Sequence, residues 1–266
     1  MPPRISFAAL FLATTSCFAV TDLDRFEAKQ RIQSNFVDLR LTFRGMDSHV
    51  DEYVEYRIVD GSNVIQSRGI VFPLGGVNAT LFARGALPRL NGPFSLKFFA
   101  DHDRNGGYTR PTPGGVFPDH AWVLSLDPDK ANDDGLLDVV FDHSTSFQDI
   151  DLPEPARAIG AKATIRLVNL ANLLGKRFEV RVADASSQRV VALYRNPAVN
   201  VPAFDAVIEG MIDGGVNYTI EVYTDDGKAT PSSIQAFRFE RPSDGNGLAA
   251  EFDPATAPVV GDALPP

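Results

Sequence analysis

Short segments in which apolar and polar residues alternate recur along this chain, and they come in the same order in both halves. The first half contains VDLRLTF, YVEYRIV, FSLKFFA and LLDVVFD, and the second contains ATIRLVNL, RFEVRVA, NYTIEVY and AFRFE. Successive side chains of a strand point to opposite faces of its sheet, so this period of two indicates half-buried strands. Few long stretches have a helical period. The pattern therefore predicts an all-β fold made of β-sandwiches.

The two halves also align with each other. Residues 53–68 match residues 177–195, and residues 80–103 match residues 205–227. We infer a tandem duplication of one sandwich module, with a proline-containing linker between the copies. The predicted segments are a signal peptide at 1–19, a leader at 20–35, module 1 at 36–150, a linker at 151–159, module 2 at 160–254 and a disordered tail at 255–266.

The N-terminal segment has the pattern of a secretory signal peptide. Arg4 precedes an apolar run at 5–13, which is short for a membrane-spanning helix. The small residues Cys17 and Ala19 stand at the −3 and −1 positions of a cleavage before Val20. We therefore expect an exported protein, located in the periplasm, at the cell surface or outside the cell. The alternatives are a lipoprotein signal with a lipid anchor on Cys17 and a buried N-terminal helix.

Charge and cysteine content exclude several kinds of function. The formal net charge is −9, and an acidic surface repels phosphate backbones, which argues against nucleic acid as a partner. Cys17 is the only cysteine, so a disulfide framework, thiol catalysis and cysteine-ligated zinc are excluded. No later segment is apolar enough to be read as a transmembrane span.

Module 1 carries an insertion that module 2 lacks. Phe94 aligns with Tyr218 at an offset of 124, whereas Trp122 aligns with Phe237 at an offset of 115. About nine extra residues therefore lie within DHDRNGGYTRPTPGGVFPDH, at 101–120. Long loops on a rigid scaffold tend to carry function, so this is the first place to look for a site. Trp122 itself stands at a strand position and is expected to be a core anchor.

The start of the insertion has the spacing of a calcium-binding loop. Asp101, Asp103, Asn105 and Gly106 match positions 1, 3, 5 and 6 of an EF-hand loop. Carboxylate and amide oxygens at alternate positions can surround one hard cation, and glycine allows the sharp turn. The motif therefore predicts a calcium site, with an Asx-rich turn that needs only solvent as the alternative.

The remaining ligands of this predicted site depart from the EF-hand pattern. The backbone carbonyl of Gly107 would be the next ligand, but Thr112 stands where an EF-hand has its bidentate glutamate. Asp119, at the far end of the loop, is the carboxylate that could replace it. Pro111 and Pro113 argue against a helix leaving the loop.

The same residues carry a resemblance to a group of known proteins. The stretch from Asp101 to Gly106, following the strand SLKFFA, resembles exported bacterial β-sandwich proteins of unknown function in which a strand ends in D-x-[DN]-x-N-G. The resemblance covers one strand and one loop. It implies an immunoglobulin-like or transthyretin-like sandwich and an exported location, and it implies no activity.

The histidines suggest a different metal site. All four histidines lie in module 1, and His102 and His120 flank the insertion. His49 and His143 stand in predicted loops beside aspartates. Copper, zinc or iron would favour such nitrogen ligands, so a site of His49, His102 and His120 is the alternative to calcium. Four unrelated surface histidines would give the same sequence.

Motifs for catalysis are missing from the sequence. It contains no G-x-S-x-G elbow, no H-E-x-x-H and no phosphate-binding loop. We therefore expect an exported, non-catalytic protein for binding, adhesion or an accessory role, with a calcium-ordered loop and a protein or glycan at the cell surface as its partner. The alternative is a transition-metal-binding protein or a metal-dependent enzyme that uses the histidines.

Overall fold

The computed structural model describes residues 35–90, 92–152, 161–225, 235–244 and 247–257. The predicted signal peptide, Cys17 and nearly all of the predicted leader lie outside the described residues. The same holds for most of the predicted linker and tail. Within the described residues, no helix has the length and apolar character needed to cross a membrane.

The described residues form strands joined by turns and loops. The strands of the first half are β1 (Phe36–Arg44), β2 (Val54–Asp60), β3 (Ile65–Val71), β4 (Ala79–Pro88), β5 (Phe94–Ala100), β6 (His120–Leu126) and β7 (Leu136–Asp142). Those of the second half are β8 (Ala161–Leu167), β9 (Arg177–Asp184), β10 (Val190–Asn196), β11 (Phe204–Ile212), β12 (Asn217–Asp225), β13 (Gln235–Pro242) and β14 (Gly247–Phe252). Short 3-10 turns occur at Asp47–His49, Pro128–Lys130 and Leu170–Leu173.

Alternation in the sequence corresponds to alternation in burial. In β1, the side chains of Val37, Leu39, Leu41 and Phe43 are buried and the residues between them are partly exposed. Each buried side chain removes apolar surface from water, which stabilises the strand against its core. The eight alternating segments of the sequence lie in β1, β2, β5, β7, β8, β9, β12 and β13.

The strands form three sheets. Two are three-stranded, with the orders β4-β1-β7 and β11-β8-β14, and the third is eight-stranded, with the order β13-β12-β9-β10-β3-β2-β5-β6. Each half thus contributes three strands to a small sheet and four to the long one, in the same order. Buried side chains from the facing sheets share the two main hydrophobic cores. The predicted all-β sandwich fold is confirmed.

The two halves meet at a parallel pair of strands in the long sheet. Strand β3 pairs with β10 in a register that matches Arg68 with Ala192 and Val71 with Arg195. Ile70 belongs to the core of the second half, whereas its neighbour Val71 belongs to the core of the first. Because successive strand residues point to opposite faces, the two small sheets cover opposite faces of the long sheet.

Charged residues are buried on the face of the long sheet that lies away from each core. In the first half, the Glu55 carboxylate accepts hydrogen bonds from Arg57 Nε at 2.5 Å and from Arg68 Nε at 2.9 Å. In the second half, the equivalent Glu179 accepts from Arg181 Nε and Arg195 Nε, each at 2.6 Å. The network therefore recurs in both halves.

These arginines also tie the halves together. Arg68 Nη1 donates to the backbone carbonyl of Glu209, on the small sheet of the second half, at 2.6 Å. Arg195 Nη1 donates in the same way to the carbonyl of Thr80, on the small sheet of the first half. A buried charge is tolerated when it is paired and hydrogen-bonded, and both conditions hold here.

Gly69, in the middle of β3, provides a test of packing at this join. It pairs with Tyr56, and a Cβ at Gly69 would lie 2.1 Å from Cε1 of the buried tyrosine ring. We expect Gly69→Ala to lower the free energy of unfolding by about 1–3 kcal/mol, because the ring must move within a packed core. Gly76→Ala is the matched control, since a Cβ there meets nothing within 4 Å. Urea denaturation measures both, and equal effects would contradict the packing argument.

Glu179 makes stability depend on pH in the acid range. Burial alone would raise its pKa, but the charges and hydrogen bonds of Arg181 and Arg195 outweigh burial and lower the pKa from 4.5 to about 2. A carboxyl group with a lowered folded-state pKa stabilises the fold above its unfolded pKa, and this contribution is lost as pH falls through the folded value. We therefore expect the free energy of unfolding to fall between about pH 4.5 and about pH 2.

Two variants isolate that contribution. Glu179→Gln leaves two arginines buried without their counter-charge and should cost about 3–5 kcal/mol at pH 7. Because the variant cannot titrate at this position, its stability should also depend less on pH in the acid range. Glu251→Gln changes an exposed carboxylate and serves as the control. Urea midpoints at several pH values measure the effect, and an unchanged pH dependence in Glu179→Gln would refute the assignment.

Candidate functional site

The insertion connects β5 to β6 at one edge of the long sheet. The two strands are antiparallel and pair Ala100 with His120, so both ends of the loop leave the sheet at the same point. The Asp101 N–H donates to the carbonyl of Tyr53 at 2.8 Å, which continues the sheet by one residue. This geometry places the residues just after β5 beside those just before β6.

Three aspartates meet where the loop starts and ends. Asp101, Asp103 and Asp119 each have a carboxylate oxygen within 4.8 Å of one from each of the others, and we call this group the carboxylate cluster. Asp101 is 3% exposed and Asp119 is fully buried, whereas Asp103 is exposed. The structure therefore brings together three of the residues that the sequence assigned to a calcium site.

Backbone N–H groups hold Asp119 in place. Its Oδ1 accepts from His102 at 2.9 Å and from Asp103 at 3.3 Å, and its Oδ2 accepts from Thr109 at 2.6 Å. A single buried carboxylate thus joins the start, the middle and the end of the loop. This is a reason for Asp119 to be buried whether or not an ion is bound.

Asp101 organises the turn that follows β5. It accepts from the backbone N–H of Asn105 at 3.1 Å and from that of Gly106 at 2.9 Å. Gly106 has a φ of +90°, a conformation in which a side chain would be strained. The glycine of the motif is therefore required by the turn itself.

Asn105 contacts the carboxylate cluster through its nitrogens, and its amide oxygen is turned to the backbone of Gly107. The Asn105 side chain donates to Asp103 Oδ2 at 2.9 Å, and its Oδ1 accepts from the Gly107 N–H at 2.9 Å. The part of Asn105 and of the Gly107 carbonyl in metal binding stays a prediction.

The electrostatics of the carboxylate cluster favour a positive charge. Burial raises the pKa of Asp101 and of Asp119, and the neighbouring carboxylates act in the same direction, while backbone N–H groups partly offset both. Within the described part of the chain, no lysine or arginine forms an ion pair with Asp101, Asp103 or Asp119. The cluster therefore concentrates negative charge that the chain itself leaves uncompensated.

All four histidines lie together beside the carboxylate cluster. His49 ends the first 3-10 turn, His102 follows Asp101, His120 begins β6 and His143 follows β7. His49 Nε2 lies 3.2 Å from His143 Nε2 and 3.4 Å from His120 Nδ1. Ring nitrogens of His49, His102 and His120 lie within 4.8 Å of one another. We call the four residues the histidine cluster.

Glu52 links two of these histidines through hydrogen bonds. Its Oε2 lies 2.7 Å from His49 Nδ1, and its Oε1 lies 2.7 Å from His102 Nδ1. An ionised carboxylate can only accept hydrogen bonds, so both Nδ1 atoms then carry the hydrogen. The neutral imidazole of His49 is thereby left with its lone pair on Nε2, the atom that faces His120 and His143.

Aromatic rings surround the histidine cluster. His120 stacks between Phe147, at a ring-centroid distance of 3.7 Å, and His102, at 4.5 Å. Trp122 lies within 6.5 Å of the rings of His49, His120 and His143 by the same measure. Trp122 is a core residue, as the sequence suggested, and it also forms one wall of the cluster.

Burial keeps two of the histidines in their neutral form. It lowers the pKa of His49, although the hydrogen bond and charge of Glu52 oppose this effect. Burial also lowers the pKa of His120 to about 4, and the neighbouring His49 and His102 add to the effect. Both imidazoles are therefore uncharged at pH 7, which is the form that binds metal ions.

Sequence reasoning missed two members of this site. His143 was the histidine left out of the predicted set, and its only signal was that all four histidines lie in one half of the chain. Glu52 gave no signal, because its position between His49 and His102 depends on how the chain folds. Trp122 Nε1 donates to the Ser144 carbonyl at 2.8 Å, which fixes the segment that carries His143.

No protein-family model matches the chain, and no curated protein matches it. Among solved structures, it is similar to the fimbrial anchor protein Mfa2 from Porphyromonas gingivalis, with 9% identity, 76% of this chain and 81% of that chain covered, and a TM-score of 0.25. It is also similar to the shaft pilin spaA from Lactobacillus rhamnosus GG, with 14% identity, 86% and 99% covered, and a TM-score of 0.22. A function for this chain therefore has to be argued from its own residues.

Proposed function

We propose that this chain is an exported, non-catalytic β-sandwich protein that binds calcium in the loop at 101–119 and serves in binding, adhesion or an accessory role. The observation that carries the proposal is the carboxylate cluster, in which two buried aspartates and one exposed aspartate converge and form no ion pair with a lysine or arginine of the described residues. The exported location rests on the signal-like N-terminal sequence, and the partner would be a protein or glycan at the cell surface.

A bound cation would offset the cost of this arrangement. Like charges at such short range repel, and burial removes the water that would otherwise screen them. The donors that converge are all oxygens, which hard cations prefer, and a calcium ion accepts six to eight oxygens at about 2.3–2.6 Å. The carboxylate cluster supplies at least three, and the amide oxygen of Asn105, the Gly107 carbonyl and water are available to complete the shell.

Calcium would order a surface loop rather than decide the fold. The strand order of the sandwich recurs in the second half, whose sequence lacks the insertion. Extracellular calcium modules often have dissociation constants of about 0.1–1 mM. At about 1 mM free calcium, a site of about 0.1 mM would add roughly 1.4 kcal/mol to the free energy of unfolding.

Calcium titration of the purified protein tests this proposal. We expect one equivalent of calcium to bind by calorimetry, with a dissociation constant below about 1 mM, and the urea midpoint to rise with calcium concentration. Asp103→Asn removes an exposed carboxylate of the cluster and should weaken binding about tenfold or more. Asp133→Asn, at an exposed aspartate outside the loop, should leave it unchanged.

Magnesium is the matched control ion, since it demands smaller, nearly octahedral geometry and should bind more weakly than calcium. The proposal fails if millimolar calcium produces neither heat nor a shift of the urea midpoint. It also fails if Asp103→Asn and Asp133→Asn have the same effect on calcium affinity.

A further inference from the structure

Three imidazoles of the histidine cluster converge. His49, His102 and His120 each place one ring nitrogen so that all three nitrogens lie within 4.8 Å of one another. The rings come from separate parts of the chain, since His49 ends the first 3-10 turn, His102 follows β5 and His120 begins β6. The sandwich, rather than a local sequence pattern, therefore sets this geometry. The oxygens of the carboxylate cluster form a second, separate group.

We propose that His49, His102 and His120, each through one ring nitrogen, are the ligands of a second metal centre, which takes a transition-metal ion such as Cu(II) or Zn(II). Three nitrogen donors favour copper, zinc or nickel over calcium or magnesium, and Cu(II) binds such sites most tightly of the divalent series. The sequence offered these histidines as an alternative to calcium. Because the two donor groups are separate, the nitrogen site exists in addition to the calcium site and does not depend on it.

The nitrogen separations are close to those of ligands that share one ion. Imidazole nitrogens bind zinc at about 2.0–2.1 Å, so two of them around a tetrahedral ion are roughly 3.3–3.4 Å apart. His49 Nε2 and His120 Nδ1 already lie 3.4 Å apart. The limit of 4.8 Å for the whole set leaves at most about 1.5 Å to close in any other pair.

His102 is the ligand that has to move. Its ring is stacked on that of His120, with ring centroids 4.5 Å apart and an interplanar angle of 14°. Lone pairs in two nearly parallel ring planes do not meet at one point, so one ring must turn before both bind the same ion. The side chain of His102 is 48% exposed, which gives it room to turn, whereas His120 is also stacked on Phe147. The same exposure opens a fourth coordination position to water.

Glu52 has the place of a positioning residue. Its Oε2 lies 2.7 Å from His49 Nδ1, and a metal-bound histidine commonly donates its other ring N–H to a carboxylate. With the hydrogen on Nδ1, the lone pair of His49 is on Nε2, the atom that faces His120. Glu52 is 4% exposed and His49 is fully buried, so this pair is shielded from competing water.

His143 contacts His49 but is not assigned as a ligand. Its Nε2 lies 3.2 Å from His49 Nε2, which is the distance of a hydrogen bond. A hydrogen that His143 donates there occupies the lone pair that an ion would use, so His143 competes with the ion. Removal of His143 should therefore not weaken metal binding, which distinguishes it from the three ligands.

The only tryptophan of the chain reports on this centre. Trp122 lies 5.6 Å from His49 and 6.5 Å from His120 between ring centroids. Protein prepared without a histidine tag and stripped with a chelator is titrated with Cu(II), Co(II) and Zn(II). We expect one equivalent of Cu(II) or Co(II) to quench Trp122 emission. Co(II) should also give visible absorption bands typical of nitrogen ligands in a site of low coordination number, and Zn(II) should displace it.

Variants separate the ligands from their neighbours. His102→Ala and His120→Ala should each weaken Cu(II) and Zn(II) binding about 100-fold or more, because each removes a ligand, and His143→Ala should weaken it less than about threefold. Glu52→Gln should weaken it about 10–100-fold, the range seen for outer-shell partners of metal ligands. When saturated with Co(II), Glu52→Gln should keep the absorption bands of the unmodified protein, because all three ligands remain. Asp103→Asn, which tests the calcium site, should leave Cu(II) affinity unchanged, so the two proposals can fail separately.

Three outcomes would overturn the proposal. The first is the absence of stoichiometric binding at about 10 μM Cu(II), which would leave a hydrogen-bonded histidine cluster only. The second is unchanged affinity in His102→Ala, whose half-exposed side chain can be removed without a cavity in the core; near-ultraviolet circular dichroism checks its folding. The third is an equal loss in His143→Ala and His120→Ala, which would give His143 a ligand's role. If His120→Ala does not fold, His120→Gln and His102→Ala decide the question.

Discussion

The parallel pairing of β3 with β10 is the contact on which the architecture depends. It joins two repeats into a single eight-stranded sheet and forces their small sheets onto opposite faces. In each repeat, one face of the long sheet is therefore not covered by the repeat's own small sheet. On that face, Arg68 and Arg195 donate to backbone carbonyls of the other half, so hydrogen bonds from side chains add to the strand pairing.

The price of that join is the burial of charge. A sheet face that meets the other half of the same protein becomes partly buried, yet it must still present hydrogen-bond donors to backbone carbonyls of the facing strand. Glu55 and Glu179 compensate the buried positive charge and hold the arginines in fixed positions through paired hydrogen bonds. Replacing a carboxylate would leave buried arginines without their counter-charge, which costs far more than the pair contributes when it is intact.

Local pattern predicted eight of the fourteen strands in the described residues, and it was insufficient to predict the pairing of β3 with β10. Strand β1 alternates in sequence and in burial, so its period of two was a faithful signal. Strands β2 and β9 alternate in sequence as well, but both of their faces are buried, because Glu55 and Glu179 lie in paired networks rather than in solvent. Parallel pairing between the edges of two repeats has no short-range sequence signal, since neither turn length nor periodicity specifies it.

In the candidate sites, too, local sequence predicts some of the residues and only the fold brings in the others. The predictable part comes from one short stretch of backbone. Residues 101–103 and 119–120 alternate between aspartate and histidine at the end of an antiparallel pair, so the carboxylates converge on one side and His102 and His120 on the other. Spacing along the chain was therefore enough to bring together Asp101, Asp103 and Asp119 and to place His102 beside His120, whereas His49 lies far away in the sequence. This spacing also separates oxygen donors, which suit hard cations, from nitrogen donors, which suit transition metals. Glu52 and His143 complete the nitrogen side from elsewhere in the chain, where only the sandwich fold could bring them.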